Sequence, residues 1–343
     1  MLLTFRATGR AGEVGLSTWN QASWDYDLNM LRLSWKNTKT GVDEPMLLCG
    51  HKSSYLLDVF FAFGIFWIYG NSRSPWMLES FYKVYEYGAD GALAKKLTEA
   101  IHKVQDRVEG LPLDATMKGL RSGSNQTIFR VAGIEPALCN GGWVGSDTAA
   151  GSNKGFEYLH AEDVYIFRAQ LALSGIKGDN LYPPRLDCLT GKVTEVQVDL
   201  WIDQMLMLPT DEFRKGGDLR QLARTCFATF LMYLDDFIND FGKESRVGLT
   251  ILAKIRQTTL TFDDAKDLGR MIRRDYAHIN AACSMLSESL IKPVVDSQAE
   301  VVETLTVLKD EVRELKSDLR SKIEKISSDV QVMIATYYAR PYI

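Results

Sequence analysis

The period-two pattern of apolar and polar residues is confined to one short stretch of the chain. Leu31-Arg32-Leu33-Ser34-Trp35 alternates, and a shorter alternating stretch runs around Met46 to Leu48. Alternation sends successive side chains to opposite faces, so both stretches read as strands. Asn37-Thr38-Lys39-Thr40-Gly41 lies between them with turn chemistry. The pattern predicts a small antiparallel sheet within Trp19 to Cys49. Elsewhere the spacing is helical. Residues 1–17 carry Leu2, Leu3, Phe5, Val14 and Leu16 as the apolar positions of a helix. A second helix is expected over Ser53 to Tyr69, capped by Ser53 or Ser54. Its unbroken run Val59 to Tyr69 marks it as buried core, and Ser72 to Pro75 breaks it. Gly88 to Val108 reads as a helix with Lys and Glu on its outer face. Asp114 stands where it would cap the next helix, which carries Lys118 and Arg121. An apolar segment, Ile128 to Ala132, closes at Gly133. Val144 to Gly155 reads as a loop, and Val164 to Leu173 as an amphipathic helix.

Gly175 to Gly191, with its glycines and Pro183-Pro184, is the expected domain boundary. The pattern divides the chain into a domain over 1–175, a linker over 176–193, a helical domain over 194–292 and a coiled coil over 293–337. In the helical domain Leu200, Ile202, Met205 and Leu206, then Phe227, Phe230, Leu231, Leu234 and Phe237, recur at helical spacing. The coil seam runs Val301, Leu305, Leu308, Val312, Leu315, Leu319, then Ile323, Ile326, Val330 and Met333. The step at Leu319 is a stutter, which locally unwinds a supercoil. Such a seam, flanked by charges of both signs, predicts self-association.

Composition narrows the function classes. The five cysteines stand in no CxxC or Cys/His metal spacing and the chain has 4 histidines, so neither a disulfide framework nor a zinc site is expected. The N-terminus MLLTFRATGR has no long apolar core, which argues against a secretory signal. The Val59 to Tyr69 run is too short to span a bilayer. Formal net charge is −4, where DNA-binding proteins commonly carry a basic footprint. A local cluster of cations on one face still suffices for phosphate contacts. Asp235, Asp236 and Asp240 read as a solvated helix face rather than metal ligands.

Candidate chemistry lies in two blocks. The first holds Arg10 and Glu13, followed by Lys39, with Lys36 as its neighbouring alternative. The second, Met117 to Tyr165, holds Lys118 and Arg121 one helical turn apart, then Gly141-Gly142-Trp143, then Tyr158. Guanidinium groups grip phosphate oxygens with a two-pronged fork, an indole donates a hydrogen bond, and a phenol can serve as a covalent nucleophile. In order and rough spacing these blocks resemble the catalytic domain of the tyrosine recombinases, the phage-integrase family. Arg10 and Glu13 match its Arg-x-x-Glu helix, and Lys39 its hairpin lysine. Arg121 matches the arginine of His-x-x-Arg, Trp143 the Gly-His or Gly-Trp position as in the Cre-like branch, and Tyr158 the nucleophile. Two departures stand out. Lys118 occupies the family's histidine position, and the gap from Trp143 to Tyr158 is longer than usual, which keeps Tyr165 as the alternative nucleophile.

The resemblance implies an α+β fold, a mainly helical catalytic domain with a small antiparallel sheet, followed by the all-α region and the coil. It implies DNA cleavage and rejoining through a 3′-phosphotyrosine, with double-stranded DNA as partner and a tetramer on DNA. Arg10 and Arg121 would hold the scissile phosphate, Lys39 would protonate the leaving oxygen, and Lys118 and Trp143 would donate to the phosphate. No metal, nucleotide or redox cofactor is implied, and the segment after the tyrosine would pack on a neighbouring protomer. The compartment would follow the DNA, nuclear in a eukaryote and cytoplasmic in a bacterium. The family's separate helical core-binding domain has no counterpart ahead of Arg10, which suggests a fragment, a truncated gene or a separately encoded clamp. A different class of function is a retired, transposon-derived protein that binds DNA or partners without cutting and assembles through its coil. A topoisomerase-like nicking and resealing activity would use the same chemistry.

Overall fold

The computed structural model describes residues 2–7, 11–35, 44–70, 74–79, 82–84, 92–105, 115–140, 163–176 and 182–282. Two short helices open the chain, α1 (Leu2–Ala7) and α2 (Ala11–Gly15). Strands β1 (Ala22–Asp25), β2 (Met30–Trp35) and β3 (Glu44–Leu48) follow. Next come α3 (Val59–Tyr69), α4 (Ala92–Gln105), α5 (Met117–Ala132), α6 (Ile134–Asn140) and α7 (Asp163–Leu173). The C-terminal half adds α8 (Glu195–Met205), α9 (Asp218–Phe241), α10 (Arg246–Arg256) and α11 (residues 262–282). The fold is α+β, mainly helical with one three-stranded antiparallel sheet.

The sheet has order β1-β2-β3. Its register pairs Ala22 with Leu33, then Leu31 with Leu48 and Trp35 with Glu44. Alternation in β2 works as the pattern predicts: Leu31, Leu33 and Trp35 are buried, while Arg32 turns outward and pairs with Asp25 at 2.7 Å. The hairpin that closes on Trp35 and Glu44 carries Lys36 and Lys39, both outside the described residues.

The core is organised on α9. Cys226, Phe227, Phe230 and Leu234 are fully buried, and α3 lies along this helix. The approach is close because Gly64 has no side chain: a Cβ there would sit 3.0 Å from the Cys226 carbonyl oxygen. On the other flank, a Cβ at Gly269 of α11 would lie 2.1 Å from the Leu231 carbonyl oxygen. Trp19, Phe63, Trp67 and Phe213 form an aromatic cluster with ring centroids 5.2 to 5.9 Å apart.

Several boundaries differ from expectation, each for a local reason. The helix expected over 1–17 contains α1 and α2, with residues 8–10 between them outside the described residues. Helix α3 starts at Val59 and is capped by Asp58, whose carboxylate accepts from the backbone N–H of Phe60 and Phe61; the Ser54 to Asp58 stretch is instead a tight 3-10 turn over Tyr55–Leu57. Helix α5 is capped by Thr116, not Asp114, with its hydroxyl accepting from Gly119 N–H at 3.1 Å. Helix α7 is not amphipathic: Ile166, Phe167, Ala169, Gln170, Leu171, Ala172 and Leu173 are all buried. It packs on α5, α6 and β3 of its own chain, so this segment is not free to cross to a neighbour.

The stretch 176–193 does not separate one core from another. Buried residues from Val14 to Tyr276 form one cluster, and Met1–Ser284 is one compact unit. The second unit, Met285–Ile343, with the expected coiled coil over 293–337, lies outside the described residues. Among the described residues no helix is long and apolar enough to cross a membrane.

Candidate functional site

The helix bearing Lys118 and Arg121 is held at its start by a small satellite core, in which Met117 packs with Leu93, Leu97 and Ile101 of α4. Burying Met117 turns the next position outward, so Lys118 is exposed, while Arg121, one turn on, is half-buried. Lys118 edges an open groove of about 580 Å³ between α4 and α5, lined also by Lys95, Thr98, Glu99 and His102. His102 Nε2 lies 3.0 Å from the Ala115 carbonyl oxygen. Two glycines flank the cations on α5. A Cβ at Gly123 would meet nothing within 4 Å, and one at Gly119 only the Thr116 hydroxyl at 3.7 Å. Glycine in a helix interior costs about 1 kcal/mol relative to alanine, and among the described residues no close packing requires either one.

Arg10, Lys39, Trp143 and Tyr158 lie outside the described residues. Their neighbouring elements do not. Helix α1 ends just ahead of Arg10, α6 just ahead of Trp143, and α7 begins just after Tyr158. These elements meet α5 in one small core of Ile128, Ala137, Ala169 and Leu173, with Phe5 and Ala132 against it. The alternative nucleophile Tyr165 is half-buried and packs against the main core, which commits its ring to packing. Glu13, on α2, is half-buried, and its carbonyl accepts from the Ser17 hydroxyl at 3.1 Å.

Beneath this bundle lies a polar network the motifs did not point to. Arg6 of α1 has no exposed surface. Its Nη2 donates to the carbonyl oxygens of Cys49 and Gly50 and to the Ser174 hydroxyl at 2.6 Å. The Ser174 hydroxyl also donates to the Gln170 carbonyl at 2.6 Å and lies 2.9 Å from the Cys49 sulfur. Gln170 Nε2 donates to the Arg6 carbonyl at 2.7 Å and to Asn140 Oδ1 at 3.1 Å. Among the described residues Arg6 Nε and Nη1 have no acceptor, so Nη2 carries the guanidinium's share of the network. The signal was present in the sequence: Arg6 follows Leu2 and Leu3 by one helical turn and so shares their apolar face.

Charges around Arg6 respond to it. Burial pushes the Asp58 carboxyl up, opposed by the backbone N–H groups of Phe61, His51 and Phe60 and by the Arg6 charge. His51 is held below its ordinary value by burial and then by Arg6. Its Nδ1 accepts from the backbone N–H of Ser53 and Ser54, as a neutral ring can. The Cys49 thiol is pushed up by burial, against the pull of Arg6, so it is a poor nucleophile.

The aspartates of α9 are more than a solvated face. Asp235 pairs with Lys266 at 2.9 Å and with Arg270 at 3.4 Å, Asp236 pairs with Arg273 at 2.6 Å, and Asp240 accepts from the Tyr55 hydroxyl. They are committed to joining α9 to its neighbours, and among the described residues no group of three or more His, Cys, Asp or Glu is arranged to hold a metal ion. Comparison with known proteins finds no matching family model, no matching curated protein and no matching solved structure.

Proposed function

We propose that the chain is a tyrosine recombinase-type protein that cleaves and rejoins double-stranded DNA through a 3′-phosphotyrosine. One observation carries the reading. The elements that hold or lead into Arg10, Lys118, Arg121, Trp143 and Tyr158 are α1, α5, α6 and α7, and these pack around a single small core. The elements flanking these motifs thus share one bundle, which supports a shared phosphate site. The antiparallel hairpin that carries Lys39 supports the same reading, because β3 packs against α7 and α1. So do the exposed Lys118 and the two glycines beside it, which leave the start of α5 smooth for a nucleic-acid backbone.

In this reading Tyr158 attacks the scissile phosphorus, its phenolic proton leaving to water. The bond between phosphorus and the 5′ oxygen breaks, and Lys39 protonates that oxygen. Arg10 and Arg121 stabilise the charge that builds on the non-bridging oxygens, and Lys118 and Trp143 donate to the same phosphate. Rejoining is the reverse attack by a 5′ hydroxyl, so the ester energy is conserved and no cofactor is consumed. Lys118 in place of histidine supplies a positive charge and hydrogen-bond donors to the phosphate. Four protomers exchanging strands distinguish recombination from simple relaxation.

The test is covalent trapping on labelled, nicked DNA of random sequence. An adduct that is lost in Tyr158→Phe and Arg121→Ala but kept in Tyr165→Phe supports the proposal. An adduct lost only in Tyr165→Phe moves the nucleophile. DNA binding with no adduct favours the second reading, a transposon-derived binding or scaffold protein, to which Lys118 and the net charge of −4 already lean.

A further inference from the structure

We infer that Arg6 is a positioning residue: through one buried network it sets the relative placement of the elements that bear the candidate catalytic groups. The inference rests on the recombinase reading for its consequence, but on geometry for its mechanism. The network has four anchors. Arg6 sits on α1, which leads to Arg10. Cys49 and Gly50 directly follow β3, the second strand of the hairpin that carries Lys39. Asn140 is the last residue of α6, ahead of Trp143. Gln170 and Ser174 lie at the far end of α7, whose start follows Tyr158.

A purely apolar contact among four elements tolerates sliding, because dispersion and burial are non-directional. Hydrogen bonds from a planar guanidinium are directional, and here a single Nη2 reaches two carbonyl oxygens and one hydroxyl. Gln170 extends the chain of bonds back to α1 and across to α6. A shift of α1, of the end of β3 or of the end of α7 breaks a bond to the buried charge, and a shift of α6 breaks the bond between Asn140 and Gln170. The network is fully interior, so none of its groups touches DNA; Arg6 acts through the elements it joins. Among the described residues Nε and Nη1 have no acceptor, so the arrangement depends on Nη2.

The experiment uses the full chain with Ser174→Ala, Arg6→Lys and Arg6→Met beside the native protein. Ser174→Ala is the gentle variant, since it removes one hydroxyl and keeps the charge. The first readout needs no DNA. In hydrogen exchange, Ser174→Ala is expected to speed exchange about tenfold in α1, at the end of β3, in α6 and in α7 together, as loss of one bond to a buried charge implies. Amides of α9 and α11 are expected to keep their rates. Faster exchange confined to α7 would overturn the inference. The second readout is the single-turnover rate of adduct formation on saturating nicked DNA. Ser174→Ala is expected to bind DNA as the native chain does and to react about 10- to 100-fold more slowly, with partial recovery in Arg6→Lys relative to Arg6→Met. A reduced amplitude with an unchanged rate constant would mean fewer folded molecules and would count against positioning. If the native chain gives no adduct, the recombinase reading fails, and the exchange pattern still decides whether Arg6 couples the four elements.

Discussion

The Arg6 guanidinium donates to the Ser174 hydroxyl at 2.6 Å, across a sequence separation of 168 residues. That bond ties α1 to the end of α7, and the same nitrogen donates to the Cys49 and Gly50 carbonyls that follow β3. It joins the beginning of the first motif block to the helix that follows the last. Replacing the buried cation by an apolar chain takes the guanidinium donor from the Cys49 and Gly50 carbonyls, while the Ser174 hydroxyl keeps its bond to Gln170. Arg6→Met is therefore expected to lower the free energy of unfolding by about 3 kcal/mol, the scale of hydrogen bonds to a charged group. Urea denaturation followed by far-UV circular dichroism measures it; a change below about 0.5 kcal/mol, the surface-substitution range, would contradict the network's role.

Asp58 caps α3 and also accepts from the His51 backbone N–H at 2.7 Å. Loss of a cap alone costs about 1 kcal/mol, and Asp58 serves three backbone N–H groups. Asp58→Ala is thus expected to cost about 2 kcal/mol or more in the same measurement. Ser54→Ala is expected to stay within about 0.5 kcal/mol of native. The reverse order would restore the serine as the cap.

Glycines separate packing from surface. Gly269→Ala puts a methyl 2.1 Å from the Leu231 carbonyl oxygen, and forcing two helices apart costs about 1–3 kcal/mol. Gly123→Ala meets open space and is expected to raise stability by about 0.5–1 kcal/mol. If the start of α5 receives a DNA backbone, Gly123→Ala will at the same time weaken DNA binding. Fluorescence anisotropy on a labelled duplex, read beside thermal unfolding, resolves the two effects. Higher stability with unchanged DNA binding would remove α5 from the interface.

Tyr55 offers a pH signature. Burial, and then its hydrogen bond to Asp240, push its phenol up from the ordinary 10.0 to about 12. A phenol with a raised folded pKa holds its proton more tightly in the folded chain. Its contribution to stability is whole below pH 10.0 and is lost as pH rises toward about 12. The urea midpoint of the native chain is expected to fall more steeply across that window than that of Tyr55→Phe. Parallel curves would mean that the phenol is not perturbed.

Much of the local structure was legible in the sequence. The alternation of Leu31, Leu33 and Trp35 located β2, and the run Val59 to Tyr69 located a core helix. The spacing of Lys118 and Arg121 placed both on one helix. What was missed is what depends on distant partners. Helical spacing in Phe227, Phe230 and Leu234 marks an apolar face but not what covers it, so α9 read as belonging to a separate domain when it is the centre of the only large core among the described residues. Strand β1 is short, and only its pairing with β2 defines it. The cap of α3 was read at Ser53 or Ser54 and not at Asp58, because the turn over Tyr55–Leu57 that sets the start of the helix has no local signature. Arg6 shares the apolar face of Leu2 and Leu3, but its partners come from β3 and α7, which no local pattern connects. For the candidate site, the cation helix was legible and the network that braces it was not.

The central claim is the phosphotyrosine at Tyr158, and peptide mapping tests it most directly. The native chain is incubated with nicked duplex DNA, denatured, treated with nuclease and digested with trypsin, and the peptides are sequenced by mass spectrometry. A nucleotide mass is expected on Tyr158, absent when Arg121 is replaced by Ala. Nucleotide on no tyrosine, from a chain that binds the same DNA, would contradict it.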